Sequence, residues 1–331
     1  ATAARALPLG ELRPMTLETF DGSGQVVHPD VVRVPRDWAA ARRFLAITPY
    51  PGSDRNLELP SMYASGDVTS WAPPTGLKNP LAHTSGTNYL SDPDVVFDPE
   101  ARELYLYYRQ VTKDRNNIYL MRSADGVHWG ASALVLSVRN HEAVSPAVVR
   151  TGTRAWHMWT VNAGGAGCAA QSTVVDHRTS VDGVHWSAPR GADLGDAPMW
   201  PWHLDVTWIP ERREFWALFN GKPEDSCSTP ALYLATSVDG ISWHTHPTPV
   251  IEKGAIPEFK DIVYRATMDF DARSDVVTVW ASGAAHLGGS YVWHSAVERF
   301  DRVALFSEVD RPVSFRRLDV PGGPPKLMIA P

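Results

Sequence analysis

The chain has 331 residues, a net charge of −6 and 44% hydrophobic residues, enough for a sizeable core. Its charges are spread without a basic tract, which argues against a nucleic-acid backbone as partner. No apolar run reaches about 18 residues, so no helical membrane span is expected.

Residues 1–25 read as an irregular leader with one closing strand around Met15–Phe20. The start, Ala1-Thr2-Ala3-Ala4, matches a mature end left by signal-peptide removal, so a secreted or cell-surface protein is expected. A first unit, about 26–80, opens at His28-Pro29-Asp30-Val31 and continues through Phe44–Ile47. A second, about 88–138, opens at Ser91-Asp92-Pro93-Asp94 and runs through Leu104–Arg109 and Ile118–Met121. A third, about 139–196, opens at Ser145-Pro146-Ala147. A fourth, about 200–252, opens at His203-Leu204-Asp205. A fifth, about 256–316, opens near Tyr264-Arg265-Ala266, with later strands around Tyr291–Val297 and Val303–Phe306. The strands are short, β-branched and aromatic, and they are separated by turn residues.

One motif organises these units. Ser180-Val181-Asp182-Gly183-Val184-His185-Trp186 recurs at Ser123–Trp129 and Ser237–Trp243, with a degenerate copy at Ser65–Trp71. The four tryptophans step by 58, 57 and 57 residues. A constant period of this size marks a repeat architecture. Asp-Gly supplies a tight turn, and the following Trp is placed to plug the space between sheets while its N–H finds a partner. Four strands per unit, repeated five times, predict an all-β, five-bladed β-propeller of four-stranded antiparallel blades in one domain, 1–331. A two-sheet sandwich competes but gives no reason for the constant step. Cys168 and Cys227 fall in equivalent loops of neighbouring units, so either a disulfide or two free thiols is open.

The innermost strands of a propeller line its channel. Asp30, Asp94 and Asp205 are therefore expected to share an axial pocket, and crowding should raise at least one pKa. Paired carboxylates with split pKa values are what glycoside hydrolysis needs.

On the blade count, on Asp30 opening the first blade and on the later channel acids, residues 28–300 resemble the five-bladed glycoside hydrolases, the clan of arabinanases, α-L-arabinofuranosidases and β-xylosidases. The resemblance implies an inverting mechanism with Asp30 as general base. Asp94 or Asp205 would tune pKa and orientation, and a Glu would be general acid. No Glu opens the fourth blade, where Asp205 stands. Glu142 is the preferred acid and Glu58 the second choice. Arg109 and Arg265 are either ion-pair partners or hydroxyl donors. His28, Asp92, Trp202 and His203 complete the expected substrate contacts. No metal ligand is assigned and no cofactor is required. A central His could hold a water-coordinated cation, as in some of the clan, or hydrogen-bond a sugar.

The expected function is hydrolysis of a furanoside or pentose-containing oligo- or polysaccharide by a monomer. A sialidase-like retaining enzyme and a non-catalytic glycan-binding propeller are the alternatives. The Ser-x-Asp-Gly turns also resemble the Asp boxes of sialidases, which are folding elements.

Overall fold

The computed structural model describes residues 7–223, 226–312, 315–318 and 326–329. The Ala1–Ala4 start, on which the expectation of a cleaved signal rests, lies outside them.

Strand β1 spans Arg13–Met15. Blade I holds β2 (Val26–Arg33), β3 (Arg43–Pro49) and β4 (Ser61–Ser65), with an Ala64–Ala72 bridge in place of a fourth strand. Blade II holds β5 (Tyr89–Asp98), β6 (Glu103–Val111), β7 (Arg115–Ser123) and β8 (Ala133–Arg139). Blade III holds β9 (Val144–Gly152), β10 (Ala155–Asn162), β11 (Val174–Ser180) and β12 (Arg190–Ala192). Blade IV holds β13 (Trp200–Ile209), β14 (Glu214–Lys222), β15 (Ala231–Ser237) and the short β16 (His244–Thr245) and β17 (Ile251–Glu252). Blade V holds β18 (Ile262–Asp271), β19 (Val276–Leu287) and β20 (Ser290–Asp301). Pairing within each blade is antiparallel, and it joins chain neighbours except where β17 pairs with β15 and where β1 joins blade V. The innermost strands close a ring in the order β2, β5, β9, β13, β18 and back to β2. The expected five-bladed propeller is therefore present.

Blade V departs from the sequence reading. Val303–Phe306 is not a strand but part of helix α1, Arg302–Val309. The Asp301 side chain accepts from the Ala304 N–H, which caps the helix, and Leu305 and Val309 bury on one face. The fourth strand of blade V comes instead from β1, with Met15 opposite Ser295 of β20. The N-terminal closing strand thus exists, two residues earlier than expected, and it ties the two ends of the ring together.

The repeated turns explain the period. Ser180 Oγ accepts from the Gly183 N–H at 2.9 Å, and Asp182 Oδ1 accepts from the Val184 and His185 N–H groups. Each turn docks on the middle strand of the preceding blade. Tyr107 of blade II donates to the Gly183 carbonyl at 2.7 Å, and Trp159 of blade III donates to the Gly240 carbonyl at 2.7 Å. Trp280 of blade V donates to the Val68 carbonyl in the degenerate turn of blade I, which completes the circuit. Gly183 has φ of +72°, and a Cβ there would stand 2.8 Å from Tyr107 Oη. Glycine is thus required for backbone shape and for close approach. The expectation that each repeat Trp satisfies its N–H holds for Trp243, which donates to Gly240. It fails at Trp71, Trp129 and Trp186, whose buried Nε1 atoms have no partner.

Candidate active site

Each innermost strand breaks register near its upper end. The breaks lie between Val27 and Asp30, Ser91 and Asp94, Pro201 and His203, and Val263 and Ala266, with a matching shift where β9 faces Trp159–Val161. At three of them the bulged residue precedes a proline and takes positive φ: His28 (58°), Asp92 (48°) and Ser145 (55°). Non-glycine residues rarely occupy that region, and such strain gathers at functional sites. A bulge re-aims side chains, and here it divides the channel into two tiers.

The upper tier is built around His28, Asp92 and His203, all at most 2% exposed. His28 Nε2 lies 3.3 Å from Asp92 Oδ1, and His203 Nδ1 lies 3.1 Å from the same oxygen. None of these atoms is aligned for a hydrogen bond. The other Asp92 oxygen forms an ion pair with Arg109, whose Nε lies 2.8 Å away, and accepts from the Ser145 N–H at 3.2 Å.

The tautomer of His28 follows from its neighbours. Thr48 donates its hydroxyl to the Val27 carbonyl, so it can only accept from His28 Nδ1. The N–H is then on Nδ1 and Nε2 carries a lone pair. Burial holds the pKa of His28 well below the ordinary value, and burial also lowers that of His203. Burial alone would raise Asp92, but the Arg109 guanidinium outweighs it and holds the carboxyl well below the usual carboxylate range. A neutral nitrogen lone pair therefore faces an ionised carboxylate oxygen with no proton between them.

Around this group an upper cavity of about 340 Å³ is lined by His28, Glu58, Arg109, Trp202, His203 and Tyr264, among others. Glu58 is 4% exposed and lies 3.4 Å from His28 Nδ1. Burial, with Asp92 nearby, pushes its carboxyl well above the ordinary value. Tyr264 Oη accepts from Trp202 Nε1 at 3.1 Å, which leaves its own proton free to be donated. The Cys168–Cys227 disulfide closes one side of the cavity.

The lower tier holds Asp30, Asp94 and Asp205, with oxygens within 4.8 Å of one another. These carboxylates lace blades together. Asp30 accepts from the Val95 N–H of blade II, and Asp94 accepts from the Val148 N–H of blade III at 3.1 Å. Thr267 of blade V donates to Asp30 at 3.1 Å. Arg265 is fully buried between the tiers, donates to the Pro93 carbonyl at 2.9 Å, and lies 3.7 Å from Asp94 and 3.9 Å from Asp205. Burial and the Asp205 charge push Asp30 up to about 8. This tier opens at the opposite end of the channel, into a separate cavity of about 450 Å³.

The expected site residues thus divide. His28, Glu58, Asp92, Arg109, Trp202 and His203 gather in the upper tier, and Asp30, Asp94 and Asp205 in the lower. Arg265 does not reach the upper cavity wall. Glu142, the preferred acid, joins neither group. It is partly exposed and accepts from the Arg139 N–H in its own turn. Sequence reasoning missed Tyr264 and Ser145 as members of the upper tier. A usable signal was present, because His28, Asp92 and Ser145 each precede a proline two residues before the channel position.

Known proteins place this architecture. No family model matches the chain. It is 27% identical over 323 residues to an A type blood N-acetyl-α-D-galactosamine deacetylase of Flavonifractor plautii, a match covering 83% of this chain. The chain spans about two fifths (40%) of that relative's length. The crystal structure of an N-acetylgalactosamine deacetylase from F. plautii, in complex with blood group B trisaccharide, superposes with a TM-score of 0.80 at 23% identity, covering 94% of this chain and 99% of that one. A thermostable family-43 glycoside hydrolase superposes with a TM-score of 0.58 at 11% identity, covering 98% and 96%. A Bacillus halodurans xylan β-1,4-xylosidase gives 0.62 at 14% identity, covering 89% and 54%. The chain therefore has the five-bladed fold that glycoside hydrolases and a sugar deacetylase share.

Proposed function

We propose that the upper cavity is the active site of a cation-dependent enzyme that removes the N-acetyl group from an amino sugar in a glycan. One observation carries this reading: the lone pair of His28 Nε2, the free oxygen of Asp92 and the ring of His203 converge, buried and unpartnered, with ligand atoms within 4.8 Å. Two neutral imidazoles and one ionised carboxylate are the ligand forms that zinc and similar divalent cations take. His28 has no proton to give Asp92, because its N–H is turned to Thr48. The likeness to the F. plautii deacetylase supports the substrate class.

A bound cation would polarise the amide carbonyl and lower the pKa of a water molecule. The chain's own groups supply the rest. Arg109 and Ser145 hold Asp92 in place and ionised, and Thr48 fixes the His28 tautomer. Glu58, protonated at rest, would hand its proton to the departing amine, and the carboxylate left behind would take a proton from the next incoming water, so that each cycle begins with hydroxide and a protonated Glu58. Tyr264 offers its hydroxyl to the oxygen that gains charge. The aromatic walls at Tyr50, Trp202 and Trp293 seat the sugar ring.

A second reading is hydrolysis of a furanoside or pentose-containing glycan. It is favoured by Glu58 and Asp92, which flank the His28 ring with opposite pKa shifts, one protonated and one ionised. The disulfide supports action outside a reducing cytosol, in a secreted or cell-surface protein. Among the described residues no helix is long and apolar enough to cross a membrane. The test offers the protein an N-acetylgalactosamine-terminated oligosaccharide and an aryl arabinofuranoside, with and without a chelator. Acetate release that stops with chelation supports the first reading. Release of arabinose that ignores chelation overturns it in favour of the second.

A further inference from the structure

Besides the upper cavity, the same face carries a cleft of about 610 Å³ between blades III and IV. Its wall includes Val174 of β11, Asp193 and Leu194 after β12, and Met199 and Trp200 at the start of β13. The active-site reading makes no use of it. Trp200 stands out among the thirteen tryptophans, all of them in described residues. The other twelve are buried or half-buried, while Trp200 is 44% exposed. Val174 beside it is 55% exposed. A large indole left in water beside a concavity of ligand size marks a binding surface.

The cleft joins the active site through two short pieces of chain. Trp200 and Trp202 sit two residues apart on β13, where Trp200 walls the cleft and Trp202 walls the upper cavity. The loop carrying Cys168 forms the partition. Cys168 faces the cavity, and Lys222, whose Nζ donates to the Ala170 carbonyl at 2.7 Å, faces the cleft. The chemistry of the wall suits sugar. An indole face stacks on the C–H face of a pyranose ring, and the exposed Asp193 carboxylate accepts from hydroxyls. The mix is too polar for a lipid tail and offers no basic pair for a phosphate.

We propose that this cleft is a second glycan subsite, which binds the sugar units of an oligosaccharide beyond the one seated in the upper cavity. The proposal rests on the upper cavity acting on a glycan. It makes the substrate a branched or extended oligosaccharide rather than a free monosaccharide. The subsite contributes binding only, because Trp200 lines the cleft and not the upper cavity.

The test uses the full chain and Trp200→Ala, with Trp200→Tyr as the variant that keeps a stacking ring. Direct binding of an N-acetylgalactosamine-containing trisaccharide is measured by calorimetry, and KM and kcat are measured for that trisaccharide and for an aryl monosaccharide. The alanine variant is expected to weaken trisaccharide binding and raise its KM by roughly tenfold, the scale of one lost aromatic contact. Its kcat and its monosaccharide kinetics should be unchanged, and tyrosine should restore most of the affinity. Equal trisaccharide affinity in wild type and Trp200→Ala overturns the subsite. Absence of turnover on every sugar, with binding still sensitive to Trp200, overturns the catalytic reading and leaves the subsite standing.

Discussion

Replacing Asp30 by Asn separates the two tiers of the channel. Asp30 is 4% exposed, and burial together with the Asp205 charge raises its pKa to about 8 from an ordinary 3.8. The folded protein therefore holds a proton there that the unfolded chain has already lost at neutral pH. Its contribution to stability is fully present below the unfolded value and is lost as pH rises through the folded one. Each unit of pKa difference corresponds to about 1.4 kcal/mol. Between pH 6 and pH 8 this carboxyl should cost wild type roughly 2 kcal/mol of unfolding free energy. Asparagine does not titrate; its amide oxygen can still accept from the Val95 N–H, and its NH2, in place of the other carboxylate oxygen, can donate to the Thr267 hydroxyl oxygen. Urea denaturation at the two pH values should give wild type the steeper decline and Asp30→Asn the flatter one. The variant should also keep its turnover. Parallel declines would refute the titration argument, and a well-folded Asp30→Asn protein without activity would move the chemistry to the lower tier.

Arg109→Leu should leave Asp92 buried without its cation, lower stability by about 3–5 kcal/mol and abolish activity, read by thermal melting and by acetate release. Gly183→Ala should destabilise by about 2–3 kcal/mol, because it adds both a disfavoured φ and a clash with Tyr107, with KM unchanged in the molecules that fold. Replacing Cys168 and Cys227 together by Ala should cost about 2–4 kcal/mol, seen as a lower denaturation midpoint, since the bridge closes a loop across a sequence separation of 59. Activity should rise with pH as any protonated imidazole at His28 or His203 is cleared, with an acid limb below the ordinary histidine value because burial lowers both. A rate profile placing that limb above the ordinary value would contradict the neutral imidazoles assigned to His28 and His203.

The fold was legible because its repeat is carried by backbone chemistry. A Ser-x-Asp-Gly turn needs its glycine at positive φ and its Ser and Asp to satisfy local N–H groups, so the motif survives in three copies and weakly in a fourth. The exchange of the last strand was not legible, because Val303–Phe306 reads as an apolar strand until the Asp301 cap is weighed. The site was half legible. Its residue types were found, but strand alternation on its own places His28 and Asp30 on one face, whereas the bulge at His28 turns them to opposite ends of the channel. Glu142 was chosen for its place before blade III, yet the turn it closes with Arg139 holds it away from the axis. Such outcomes depend on local register, which alternation of residue types does not encode.

The central claim is that His28, Asp92 and His203 hold one divalent cation on which the reaction depends. Chelator-stripped protein should bind zinc at one equivalent per chain in equilibrium dialysis, and binding and acetate release should be lost together in His203→Ala while the fold is retained by circular dichroism. A folded His203→Ala protein that still takes up one equivalent and still releases acetate would contradict the account.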